Sequence, residues 1–214
     1  FAARRRTMVD TQVRPSDVTK FPIIEAMLTV PRERFVPDAY KTTAYVGVHV
    51  PLGEGRVVLD PRVLAKMLEA ADIDRDDLVL DIGCGLGYSS AIVSRLAEAV
   101  VAVEDTAERV AEAENVLSDV SADNVAVVEG RLSDGAAKHG PYDVILVQGA
   151  VEEISETLTS QLKEGGRVVA IFASGHLGVV RVGHFFDADI SWRDAFNADA
   201  PLLPGFERAP AFAL

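Results

Sequence analysis

The sequence is short of sulfur, aromatic rings and positive charge. Cys84 is the single cysteine among 214 residues, so no intramolecular disulfide can form; the chain suits a reducing compartment and a cytoplasmic location is the expectation. Lys and Arg number 21 against 33 Asp and Glu, and the resulting net charge of -12 opposes non-specific attraction to phosphate backbones. A nucleic-acid substrate is therefore disfavoured. Long apolar runs are missing too: VVAIFA at 168–173 is far too short to cross a bilayer, and no apolar segment follows Arg4, Arg5 and Arg6 as a signal peptide would require. No membrane partner is expected, and the arginine run reads as a solvated tail or helix end. The four histidines, His49, His139, His176 and His184, show no short paired spacing, so no metal site is expected. What the chain does have is apolar material, at 49%, enough for a substantial core.

From residue 78 onward β-branched runs alternate with amphipathic ones. The pattern predicts strands at 78–82, 100–104, 124–130, 142–148 and 166–172, with helices over 88–99, 106–120 and the stretch ISETLTSQL. Such alternation implies an α/β fold, a doubly wound and mainly parallel sheet with helices on both faces. VVRVGHFF and ISWRDAF follow one another without a helix, which predicts an antiparallel C-terminal edge. Residues 1–70 lack the alternation; a helix ending at Thr29, the loop PRERFVP, the turn-rich GVHVPLGEG and a helix over RVLAKMLEAA read as an N-terminal lid. It packs on a main domain of residues 71–214.

The stretch DIGCGLGYSS, Asp81 to Ser90, lies between the first strand of that domain and its helix. Its glycines, Gly83, Gly85 and Gly87, fall on the turn at the carboxyl edge of the sheet, where open α/β folds bind ligands. Glycine permits positive φ and lets a ligand approach the backbone, and the helix behind presents unpaired N–H groups. The dinucleotide pattern G-x-G-x-x-G needs a glycine at position 88, which is Tyr88, so the spacing is G-x-G-x-G. Asp81 would repel a pyrophosphate and attract an ammonium group. Glu104, about twenty residues on at the end of the next strand, stands where such folds place a carboxylate for ribose hydroxyls. S-adenosylmethionine, with its ammonium, carboxylate and sulfonium, suits this charge pattern better than a nucleotide phosphate.

Together with VPRERFVP at 30–37, AYVGVHVPLG at 44–53, GRVVLDPRVLAKMLE at 55–69 and QLKEGGRVVA at 161–170, the loop resembles the protein-L-isoaspartate O-methyltransferase family, class I S-adenosylmethionine-dependent enzymes. The resemblance implies a seven-stranded Rossmann-like sheet and an extension over the acceptor site. It implies S-adenosyl-L-methionine as cofactor with S-adenosyl-L-homocysteine as product, and a damaged protein or peptide as partner. The residues assigned to the cofactor are Asp81, Gly83, Cys84, Gly85, Gly87 and Tyr88, then Glu104 with Asp105, and Gly130, Arg131 and Gln148 at the ends of later strands.

The acceptor loop departs from the family pattern G-Q-T-I-S-x-P, reading Gly55-Arg56-Val57-Val58-Leu59-Asp60-Pro61. Leu59 replaces a serine whose hydroxyl helps hold the substrate carboxylate, and one lost donor to a charged group is worth about 1.5–3 kcal/mol. Arg56, Leu59 and Asp60 are the acceptor-loop candidates, Arg56 as a cation that could bind a carboxylate in compensation. Thr42 and Thr43 could supply hydroxyls. Gly47 and Arg131 stand where the family has acids, and Asp134 could replace the second. Beside the repair methyltransferase stand two other readings, a non-catalytic or altered-acceptor S-adenosylmethionine-binding protein that keeps the cofactor pocket and a nicotinamide-dependent oxidoreductase. The glycine spacing disfavours the last.

Overall fold

The computed structural model describes residues 1–174 and 177–208, so the histidine at 176 lies outside the described residues. The N-terminal segment is not a free tail. Helix α1 (Ala2–Met8) continues as a wider turn over Val9–Val13 and packs on helix α2 (Phe21–Thr29), which opens on Pro22 and stops before Pro31. Arg5 is tied down by bonds from its guanidinium to the carbonyls of Leu28 and Thr29 and to the Tyr45 hydroxyl. GVHVPLGEG, expected as a turn-rich stretch, supplies β1 (Val50–Gly53) and the turn of a hairpin completed by β2 (Arg56–Val58). Its two turn residues, Glu54 and Gly55, have φ of 48° and 77°, the double positive φ of a tight two-residue hairpin. Helix α3 (Pro61–Ala71) follows with Asp60 as its cap.

The main sheet runs β3 (Leu78–Ile82), β4 (Ala99–Glu104), β5 (Val125–Glu129), β6 (Tyr142–Val151), β7 (Leu162–Ser174), β8 (Leu177–Phe186) and β9 (Asp189–Asn197) along the chain. In space the order is β5-β4-β3-β6-β7-β8-β9, the first five parallel and the last two antiparallel, as the alternation and its breakdown after residue 174 predict. The central strands are nearly continuous apolar runs because both of their faces are covered. One core gathers the N-terminal helices, α3 and one face of the sheet; another fills the opposite face around Ile82, Ile145, Val168 and Leu203.

Two expected helices are shorter than their patterns. Helix α4 (Tyr88–Val93) ends early because Arg95 and Leu96 bond back only three residues, and the Asn124 amide takes the carbonyls of Ser94 and Glu98. Helix α6 (Glu156–Thr159) is a single turn, since Gln161 is drawn into pairing with Tyr142 at the start of β7. Helix α5 (Ala107–Asp119) runs nearly as expected from its Thr106 cap.

Arg32 pins the extension to the rest. Its side chain is fully buried, donating from Nε to the Ala44 carbonyl at 2.6 Å and from Nη2 to the Leu59 carbonyl at 2.8 Å, with the guanidinium 4.8 Å from the Tyr88 ring centre. Burial pushes its pKa below the usual arginine value, and Tyr88 and Asp60 work against that shift. Arg32→Ala leaves two buried carbonyls without donors and a void, so urea unfolding should show a loss of about 3 kcal/mol. Arg32→Lys should recover only part, because one ammonium lacks the planar fork that reaches both carbonyls; full recovery would mean that charge alone matters.

Candidate functional site

The chain begins the sheet at β3, builds outward to β5, then returns to place β6 beside β3, so the crevice between their carboxyl ends is the topological switch point. Asp81 sits there, fully buried. Its Oδ2 accepts from the hydroxyls of Ser89 at 2.7 Å and Ser90 at 2.6 Å, and its Oδ1 from the Gln148 amide at 2.7 Å. Strand β3, the first turn of α4 and strand β6 are thereby joined through one carboxylate. Gly83, Gly85 and Gly87 all have positive φ, at 72°, 59° and 90°, so the loop between those anchors follows a path that side-chain-bearing residues rarely adopt.

Each loop glycine is met by a leucine from elsewhere. A Cβ at Gly83 would lie 3.3 Å from Leu203, one at Gly87 would lie 2.9 Å from Leu117, and one at Gly85 would overlap Leu52 of the hairpin. Leu203 also fills the space beside Gly149 and belongs to a C-terminal strap that the sequence did not disclose. The strap is held to β6 by Ala150 N–H donating to the Pro201 carbonyl and Leu203 N–H donating to Ala150, both at 2.9 Å.

Glu104, at the end of β4, is fully buried. Its Oε1 accepts from Gly85 N–H at 2.6 Å, and its Oε2 accepts from Arg56 Nε at 3.1 Å. Arg56 Nη2 reaches Asp105 at 2.7 Å, and Arg109 stands 3.9 Å from both carboxylates while holding Glu54 at 2.5 Å. Arg56 is 1% exposed and its Nη1 has no partner among the described residues. The sequence pattern suggests Arg56 as compensation for the lost serine in the acceptor loop; in the structure it pairs with Glu104 and Asp105 instead. The β1–β2 turn carries it inward, and two carboxylates hold it there.

The other assigned residues divide. Gly130 adjoins the site, its N–H donating to the Glu104 carbonyl at 2.9 Å, whereas Arg131 and Asp134 are exposed. Tyr88 is buried under Arg32. Cys84 is buried, and desolvation together with the negative charge of Asp81 and Glu104 raises its thiol well above the ordinary range. It lines the loop as an un-ionised group. Asp60 serves as the α3 cap, accepting from Arg62 N–H at 2.7 Å, while its own N–H donates to His49 Nδ1 at 2.8 Å. The Leu59 side chain is buried, and Thr42 and Thr43 are exposed. Gln12, unnoticed in the sequence, has a buried Oε1 without a partner among the described residues, 3.2 Å from where a Cβ on Gly47 would lie. Only the three-dimensional approach of the N-terminal helix to Gly47 reveals it.

The donor set fits S-adenosylmethionine: a positive-φ glycine cradle, a helix N-terminus and two buried acids at the switch point. A cavity of about 130 Å³ bounded by Leu52, Arg56, Gly85 and Arg109 opens beside the loop. Among the described residues no cluster of His, Cys, Asp and Glu could hold a metal, and no helix is long and apolar enough to cross a membrane.

The family model described as Protein-L-isoaspartate(D-aspartate) O-methyltransferase matches residues 3–182. A Protein-L-isoaspartate O-methyltransferase of Koribacter versatilis is 39% identical over 182 residues, covering 85% of this chain and 82% of the relative. One of Methanoregula boonei with the same description is 39% identical over 165 residues, 77% of this chain and 76% of that one. A solved protein-L-isoaspartate O-methyltransferase superposes with TM-score 0.83 at 26% identity, over 94% of this chain and 66% of that one. A structure of the putative Plasmodium falciparum enzyme in complex with S-adenosyl-L-homocysteine shares the fold, with TM-score 0.79 at 16% identity over 93% of this chain and 97% of the other.

Burial raises the Asp81 carboxyl above its ordinary value; the bonds from Ser89, Ser90 and Gln148 oppose that shift and the neighbouring Glu104 adds to it. The folded protein then holds this proton more tightly than the unfolded chain, so its stabilising contribution is complete below about pH 4 and is lost as pH rises through the raised folded value. Asp81→Asn should flatten that fall in urea-unfolding free energy measured at a series of pH values from 4 to 8. An unchanged slope would mean that Asp81 does not set it.

Proposed function

Because the chain belongs to the protein-L-isoaspartate(D-aspartate) O-methyltransferase family, we propose that it methylates the free carboxylate of isoaspartyl residues in damaged proteins or peptides. The observation that carries this reading is the buried pair Asp81 and Glu104 flanking a positive-φ G-x-G-x-G loop at the switch point of a chain matched to the family over residues 3–182. S-adenosylmethionine is the methyl donor, and when bound it supplies a sulfonium-activated methyl group.

The acceptor needs no general base. A carboxylate with a reference pKa near 4 is already ionised and nucleophilic at neutral pH. The chain's part is to align the acceptor oxygen behind the methyl carbon and to exclude water, so that opposite charges neutralise in a low-dielectric site. Asp81 acts as a positioning residue that sets the loop through Ser89, Ser90 and Gln148. Glu104 is placed to accept from the ribose hydroxyls, and Gly83 and Gly85 let the donor approach the backbone. Arg32 fixes the acceptor loop from behind by its bond to the Leu59 carbonyl.

One observation favours a second reading, a cofactor-binding protein with weak or no transfer to carboxylates: Leu59 offers no hydroxyl where the family has serine. Transfer of a labelled methyl group to an isoaspartyl peptide, with the matching aspartyl peptide as control, tests both. Leu59→Ser should raise kcat/KM about ten- to a hundredfold, the worth of one donor to a charged group. No transfer by the parent or by Leu59→Ser, with S-adenosylhomocysteine binding intact, would remove the repair activity and leave the binding protein.

A further inference from the structure

The acid that should receive the ribose is occupied by the protein itself. Arg56 Nε donates to Glu104 Oε2 at 3.1 Å and Nη2 to Asp105 at 2.7 Å, so a guanidinium presents two N–H donors where a ribose would present two hydroxyls. Leu52, from the other strand of the same hairpin, fills the space above Gly85 that a ligand would need. The two obstructions travel together, because Gly53 pairs with Arg56 across a turn of two residues. We propose that the β1–β2 hairpin is a latch on the cofactor site, with Arg56 competing directly with the cofactor for Glu104.

Three features support a moving part rather than a permanent plug. The hairpin forms its own two-stranded sheet and shares no ladder with the seven-stranded one. Its tip is held from outside by the ion pair of Arg109 with Glu54, whose side chain is 82% exposed. Arg56 also keeps Nη1 unpartnered while buried, so the closed arrangement leaves one donor group unsatisfied. Opening the latch returns that group to water and frees Glu104 Oε2, while Gly85 N–H continues to hold Oε1 in place. The glutamate therefore stays aimed as its partner changes.

This inference rests on the cofactor assignment, and its test separates the two. S-adenosylhomocysteine binding is measured by calorimetry for the parent and for Arg56→Gln, which keeps an amide of moderate length but cannot bridge two carboxylates. The latch predicts at least tenfold tighter binding by Arg56→Gln, including the case in which only the variant binds. Equal or weaker binding by a folded Arg56→Gln overturns the latch and leaves the cofactor assignment standing. Binding by neither protein overturns both. Should Arg56→Gln fail to fold, hydrogen exchange of residues 50–58 in the parent decides: the latch requires faster exchange when S-adenosylhomocysteine is added, and slower or unchanged exchange overturns it.

Discussion

A carboxylate with no access to water organises the centre of this protein. Asp81 ends a strand, receives hydroxyls from the first turn of the next helix, and meets an amide from the strand that returns to the switch point. A buried charge of this kind carries a desolvation penalty and is tolerated only when its lone pairs are satisfied. Satisfying them constrains the three elements to one relative position. The intervening loop then runs through the left-handed region at each of its three glycines, where a side chain would be strained and would also meet Leu203, Leu52 or Leu117.

The parts of this centre that are adjacent in sequence were legible before any coordinates. The strand, the acid and the glycine spacing occupy ten consecutive positions, and Glu104 follows at the end of the next strand. Local patterns of this sort announce backbone demands that are themselves local. Asp60 is a further local case: an aspartate directly before Pro61 and an amphipathic run is a helix-cap signal, and it caps α3.

What the sequence could not convey was who touches whom across long separations. Arg56 and Glu104 lie 48 positions apart, and nothing in GRVV indicates that the arginine turns toward that glutamate. The strap carrying Leu203 is apolar but interrupted by Pro201, Pro204 and Gly205, so no period marks it as an element, and its bonds to Ala150 are made by backbone alone. Helix lengths failed for the same reason. The apolar period of α4 continues past Val93, but Asn124 takes the carbonyls that a further turn would have used. Arg32 is the converse case, an arginine within a recognisable motif whose task, bridging the carbonyls of Ala44 and Leu59, needs the folded chain to be seen.

The three leucines that face the three glycines come from the hairpin, from helix α5 and from the strap, each contributing a single side chain. Such an arrangement makes the loop a shared boundary, and free energy changes introduced in any of these segments have to pass through it. Substitutions at Leu52, Leu117 and Leu203 would accordingly be non-additive with one another, although the three residues belong to separate segments of the fold. The glycine loop is in that sense the place where the energetics of hairpin, helix and strap become a single quantity.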